Sequence, residues 1–175
     1  MRCYLPGTAA DLSVLVAEPG TTHRGLASLV TSELRAVLPD EDDEGLEMSA
    51  YLTAADLSVL RIAAVDEPVA PLRVVLAVEV PADALDPRLA EPGIDEPESV
   101  RMLAAELPSL GGTVTFRLNQ VVAVHADDPR DETVKAMVRE ASRGSEEALE
   151  ALGEIDLLWF APEEIESVAA ILESS

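Results

Sequence analysis

Several things are scarce in this chain, and each scarcity removes a class of protein. Cysteine occurs once, at Cys3, so no intrachain disulfide can form. Two histidines, His23 and His125, stand far apart and give no zinc-ligand spacing. Lysine occurs once, at Lys135, among 12 basic residues against 34 acids. A binder of nucleic-acid phosphates needs clustered Lys and Arg, and an anionic membrane surface attracts the same residues, so neither partner is expected. No uncharged apolar run approaches the roughly 18 residues of a membrane span. The N-terminal stretch MRCYLPGTAADL lacks the charged region and long apolar run of a secretion signal. The expected compartment is the cytoplasm. Aromatic residues make up 3%, so the core must be built from aliphatic and small side chains.

What is present is an aliphatic, acidic chain. Its 175 residues, 48% hydrophobic, carry a formal net charge of -22. That length supports a single domain over residues 1–175 with a sizeable core. The charge favours solubility and attracts cations or basic partners.

The elements follow from spacing and punctuation. RCYL, residues 2–5, reads as a first strand ended by Pro6-Gly7. Thr8 and Asp11 have the spacing of a capping box, and Pro19-Gly20 stop the helix that follows. Residues 25–30 read as a strand. Thr31 caps a short helix closed by Pro39. The run DEDDEGLE, 40–47, leads into a long helix to about Val65. Apolar residues cover much of its circumference, among them Met48 and Leu52, so it is expected to be the central buried helix. Asp66 to Pro71 reads as a turn, and RVVLAVEV, 73–80, as a central strand. Pro81 to Pro97 reads as a long surface connection. Val100 to Leu107 has helical spacing, with a strand at 100–103 as the alternative. Gly111-Gly112 reads as a turn before an alternating strand through Leu118.

VVAVHA, 121–126, reads as a buried strand, and Asp128-Pro129 as the start of a helix. Gly144 breaks that helix, and Ser145 restarts one that Gly153 ends. Ile155 to Phe160 reads as the last strand, with Trp159 expected in the core, and Pro162 as the start of the last helix. The fold class is α+β: a mixed sheet of about five or six strands against helices.

Few residues carry chemistry. His125, near the end of a strand and followed by Asp127, has the arrangement of a general base oriented by a carboxylate; a strand-end histidine beside a helix cap explains the same residues. Cys3 could serve as a nucleophile beside His125, or as a small buried hydrophobe. The acids at 40–47 lack the alternating spacing that wraps calcium, so no metal is expected there. No phosphate-cradling glycine motif is present, and no cofactor is expected.

The segments MRCYLPGT, VVAVHADD and DLLWFAPEEI together resemble a family of small acidic cytoplasmic proteins from high-GC actinobacteria, a domain of unknown function. Residues 98–120 fit that pattern less well. The resemblance implies one cytosolic domain and supplies no catalytic residue. The leading expectation is a non-catalytic accessory or regulatory protein acting through protein contacts, with a homodimer or a partner of basic surface. The alternatives are a small hydrolase using His125 and Asp127 with Tyr4 or Cys3, and an acidic decoy for a nucleic-acid-binding protein.

Overall fold

A computed structural model describes residues 1–65, 69–87 and 106–175. Strand β1 (Arg2–Gly7) runs directly into the capping box, in which Thr8 caps helix α1 (Ala9–Ala17) and Asp11 closes back on the Thr8 N–H. Strand β2 (His23–Ser28) returns beside β1. Thr31 then caps α2 (Ser32–Val37), and Asp42 caps the 22-residue α3 (Asp43–Ala64). Strand β3 (Val74–Glu79) is followed by the two-residue β4 (Leu85–Asp86), and β5 (Leu110–Phe116) leads through a tight turn into β6 (Val121–Ala126). Helices α4 (Glu132–Ala141) and α5 (Glu146–Gly153), strand β7 (Leu158–Phe160) and helix α6 (Ile165–Glu173) complete the chain.

The protein is α+β. Among the described residues its strands form one seven-stranded sheet in the order β4-β5-β2-β1-β3-β6-β7. Every pairing is antiparallel, where the sequence suggested a mixed sheet of fewer strands. The extra strand is β4, too short to show a period of its own.

Because side chains alternate along a strand, each face of the sheet buries its own layer. Cys3, Leu5, Val74, Leu76, Val78, Val124 and Ala126 pack beneath α1 and α6, whose Leu12, Leu15, Val168 and Leu172 complete that core. Tyr4, Val75, Ala77 and Ala123 face α2 and α3 instead. Helices α4 and α5 pack on the far end of α3 through Val59, Val138 and Leu152. Buried Ser58 of α3 ties this layer to the sheet: its hydroxyl donates to the Gly7 carbonyl at 2.7 Å and accepts from the Val74 N–H at 2.9 Å.

Several expectations are corrected. Pro6-Gly7 continues β1, opposite Val75 and Val74, because the missing proline donor does not break its ladder with β3. Gly111-Gly112 lies inside β5 rather than in a turn. Gly112 has φ +139, and a Cβ there would collide with the Asp86 carbonyl, so glycine is what lets β4 lie against β5. The helix expected from Asp128 begins three residues later, where the Asp131 carboxylate accepts from the Thr133 and Val134 N–H groups. Met48 and Leu52 are exposed, so α3 buries one side only. The helix or strand expected from Val100 falls outside the described residues, apart from Glu106 and Leu107. So do parts of the turn at 66–71 and of the connection at 81–97. Among the described residues no helix is long and apolar enough to cross a membrane.

Candidate functional site

On the α3 face the sheet's cross-strand rows explain a groove. Tyr4 lies opposite Ala77, and Ala77 opposite Ala123; two small side chains beside a large one leave the floor low. One row along, Val75 lies opposite His125, and His125 opposite Trp159. Above this floor α3 presents Glu44, Glu47, Met48 and Tyr51, whose spacing of three and four residues places them on one helix face. The groove between these two surfaces has a volume of about 660 Å³, and Asp156 and Leu157 close one side of it.

Its aromatic lining is continuous. The Tyr4 and Tyr51 rings meet edge to face with centroids 5.8 Å apart, and the Tyr51 and His125 rings meet at 4.9 Å. Trp159, expected in the core, is 60% exposed. It sits on the outermost strand, only three residues long, where among the described residues no helix covers the ring. Phe160, the next residue, turns the other way and packs against the α1–α6 core.

The groove is electronegative. Glu44, Glu47 and Asp156 line it together with the cation Arg2. Arg2 is engaged by Glu79 at 2.7 Å, with Glu47 at 3.9 Å. Tyr4 donates its hydroxyl to Glu47 at 3.3 Å. Burial, with the Glu47 charge behind it, raises the Tyr4 pKa. Burial also raises the Tyr51 pKa and lowers that of His125, which therefore favours the neutral imidazole.

The structure separates the residues proposed as a catalytic set. Asp127 does not orient His125. It is 1% exposed and bound to equally buried Arg73. One carboxylate oxygen accepts from Arg73 Nη2 at 2.7 Å, and the other from the Arg73 backbone N–H at 2.7 Å. Arg73 Nε also donates to this carboxylate, while Nη1 and Nη2 donate to the Leu152 and Ile155 carbonyls. Both oxygens of the carboxylate are thus engaged inside the protein. Cys3 lies in the α1–α6 core, across the sheet from the His125–Tyr51 contact, and burial pushes its thiol pKa up to about 11; such a thiol is a poor source of thiolate. Tyr4 shares the groove with His125.

The acids of 40–47 divide between roles. Asp42 caps α3, Asp43 pairs with Arg35 at 2.8 Å, and Glu44 and Glu47 face the groove. Among the described residues no group of three or more His, Cys, Asp or Glu side chains is arranged to hold a metal. The signal for the groove was present as Glu44-Glu47-Met48-Tyr51 at helical spacing. It is masked because Met48 also fits an apolar stripe, and because the partner surface comes from strands distant in sequence.

Fold and site together define an antiparallel α+β protein with helices on both faces and an aromatic, acid-lined groove beside one edge of its sheet. The chain belongs to the family DUF6912, a family of unknown function, whose profile matches residues 1–169. No curated protein and no solved structure matches it.

Proposed function

We propose that the protein is a non-catalytic cytoplasmic accessory protein that binds a partner's basic side chains in the Tyr51–His125–Trp159 groove. The observation that carries this reading is the exposed Trp159 ring beside Glu44, Glu47 and Asp156. An aromatic face attracts a guanidinium or ammonium group, and the carboxylates supply charge-assisted hydrogen bonds. The excess of 34 acids over 12 basic residues steers a basic partner towards the protein from a distance. A hydrolase using His125 gains no support from this geometry, since its candidate carboxylate is held by Arg73. A decoy for a nucleic-acid-binding protein would display acids along a ridge, whereas the three acids beside Trp159, namely Glu44, Glu47 and Asp156, line a concave aromatic surface.

Trp159 is the chain's only tryptophan, so it reports on its own groove. Titration with an oligo-arginine peptide should give a saturable change in its emission. That change should weaken with added salt, and the affinity should fall at least about fivefold, roughly 1 kcal/mol, when Glu47→Gln and Asp156→Asn are combined. Glu18→Gln, outside the groove, should leave it unmoved. No saturable response, or equal weakening by Glu18→Gln, would show that the attraction is diffuse charge and not this site.

A further inference from the structure

Strand β7 ends the sheet. It pairs with β6 on one side, and among the described residues no strand pairs with its outer side. In an antiparallel ladder every second residue of an edge strand turns its N–H and C=O outward. Two hollows flank this edge, one on each face of the sheet. The first is the aromatic groove, reached past Trp159. The second is an apolar hollow of about 260 Å³, lined by Leu158, Phe160, Val168, Ile171 and Leu172 with Pro129 and the Asp128–Arg130 pair at its rim. Ile171 on its wall is 52% exposed.

The two hollows and the edge have the geometry of one binding surface. A strand added beside β7 would lie about 4.8 Å from it, with its side chains pointing alternately to the two faces. The residue opposite Trp159 extends the row Val75–His125–Trp159 and lies over the acid-lined groove. Its neighbours, opposite Leu158 and Phe160, lie over the apolar hollow. Such a strand therefore wants a cationic side chain at one position and aliphatic side chains at the positions on either side.

The charge decides between occupants. A second copy of this chain would bring a further -22 to the same edge and set its own Asp156, Glu163 and Glu164 close to those of the first. A basic segment neutralises the groove instead. We infer that the protein captures an extended peptide of alternating basic and aliphatic residues by adding it as an eighth strand beside β7, with arginine or lysine over Trp159 and aliphatic side chains over the Leu158–Ile171 hollow. The inference rests on the groove's preference for cations and adds the partner's backbone conformation and its side-chain pattern.

The test uses the full chain and a fluorescein-labelled peptide of alternating arginine and valine, followed by anisotropy. The alternating peptide should bind at least about tenfold more tightly, roughly 1.4 kcal/mol, than a peptide of the same composition with its arginines and valines in separate blocks. N-methylation of alternate backbone nitrogens leaves the charge intact and removes ladder donors. In one of the two methylation registers the affinity should fall at least about tenfold, and in the other much less. Ile171→Glu, at an exposed position that leaves the fold intact, should weaken the alternating peptide and leave oligo-arginine bound as before.

Equal binding by blocked and alternating peptides, or indifference to methylation in both registers, would overturn strand addition while leaving the cation groove standing. Failure of oligo-arginine and the alternating peptide alike would overturn both readings. Concentration-dependent dimerisation that Ile171→Glu abolishes would assign the edge to a second copy and overturn the peptide as occupant.

Discussion

His125 and Asp127 stand two residues apart near one end of β6, yet they belong to opposite kinds of environment. Asp127 lies in a closed knot: each carboxylate oxygen meets a donor from Arg73, and the guanidinium also donates to two backbone carbonyls. His125 stands against the Tyr51 ring and opens on a groove lined by aromatic, acidic and aliphatic side chains together with Arg2. In the knot the low dielectric strengthens interactions that are complete, and completeness makes the pair a fastener between β3, β6 and the end of α5. In the groove the Trp159 ring is 60% exposed, with Glu44 and Asp156 lining the same hollow. Two positions this close in sequence thus meet a closed, engaged setting in one case and an open one in the other, and partner satisfaction, not residue type, separates them.

The sharpest way to break this comparison is to open the knot. Asp127→Ala leaves a buried guanidinium without its counter-charge, and removal of one partner of such a pair costs about 3–5 kcal/mol. Denaturant unfolding should show a loss of that size. A loss under about 1 kcal/mol would mean that water enters and the pair is not a fastener.

Arg73→Lys asks whether the planar fork matters. The ammonium keeps the charge but cannot serve the carboxylate, Leu152 and Ile155 in the same geometry. The expected cost is about 1–3 kcal/mol, in line with buried groups left unsatisfied, again read from the unfolding midpoint. Wild-type stability in this variant would show that charge alone suffices.

A pH series probes the other side. Burial lowers the folded-state pKa of His125, so the unfolded chain takes up this proton first as pH falls. Its contribution is therefore fully present above the unfolded value of about 6.5 and is lost as pH falls through the lowered folded value. His125→Phe should flatten the dependence of stability on pH in that window. If wild type and variant lose stability in parallel, His125 is not held in a dehydrated setting and the groove is wetter than its geometry implies.

The smallest effect on stability belongs to Trp159→Ala. With the ring 60% exposed, the change should stay within about 0.5 kcal/mol and still abolish most of the peptide response. Native emission from Trp159 should be red-shifted and iodide should quench it freely. A blue-shifted, protected signal would place the ring in a closed core, and the recognition surface would be lost with it.

Local chemistry made much of the fold legible in advance. The Thr8–Asp11 capping box, the Thr31 cap, the Gly144–Ser145 break and the β6 strand all depend on neighbours within a few residues. The stripe Ile165, Val168, Ala169 and Leu172 of α6 is buried as its spacing requires. The same local signals misled wherever a distant strand intervened. Gly111-Gly112 has turn composition, but β2 and β4 lie against it. Asp127 beside His125 has the look of a catalytic pair, but Arg73 lies 54 positions away and takes it.

Composition and short-range pattern by themselves determined that this is an acidic α+β chain with a long helix, because capping, periodicity and charge act within a few residues. Only the tertiary structure decided which face of that helix is buried, which strand ends the sheet, and that Trp159 meets solvent while Phe160 meets the core. Those outcomes follow from sheet order and helix placement, which depend on the packing of residues far apart in the chain.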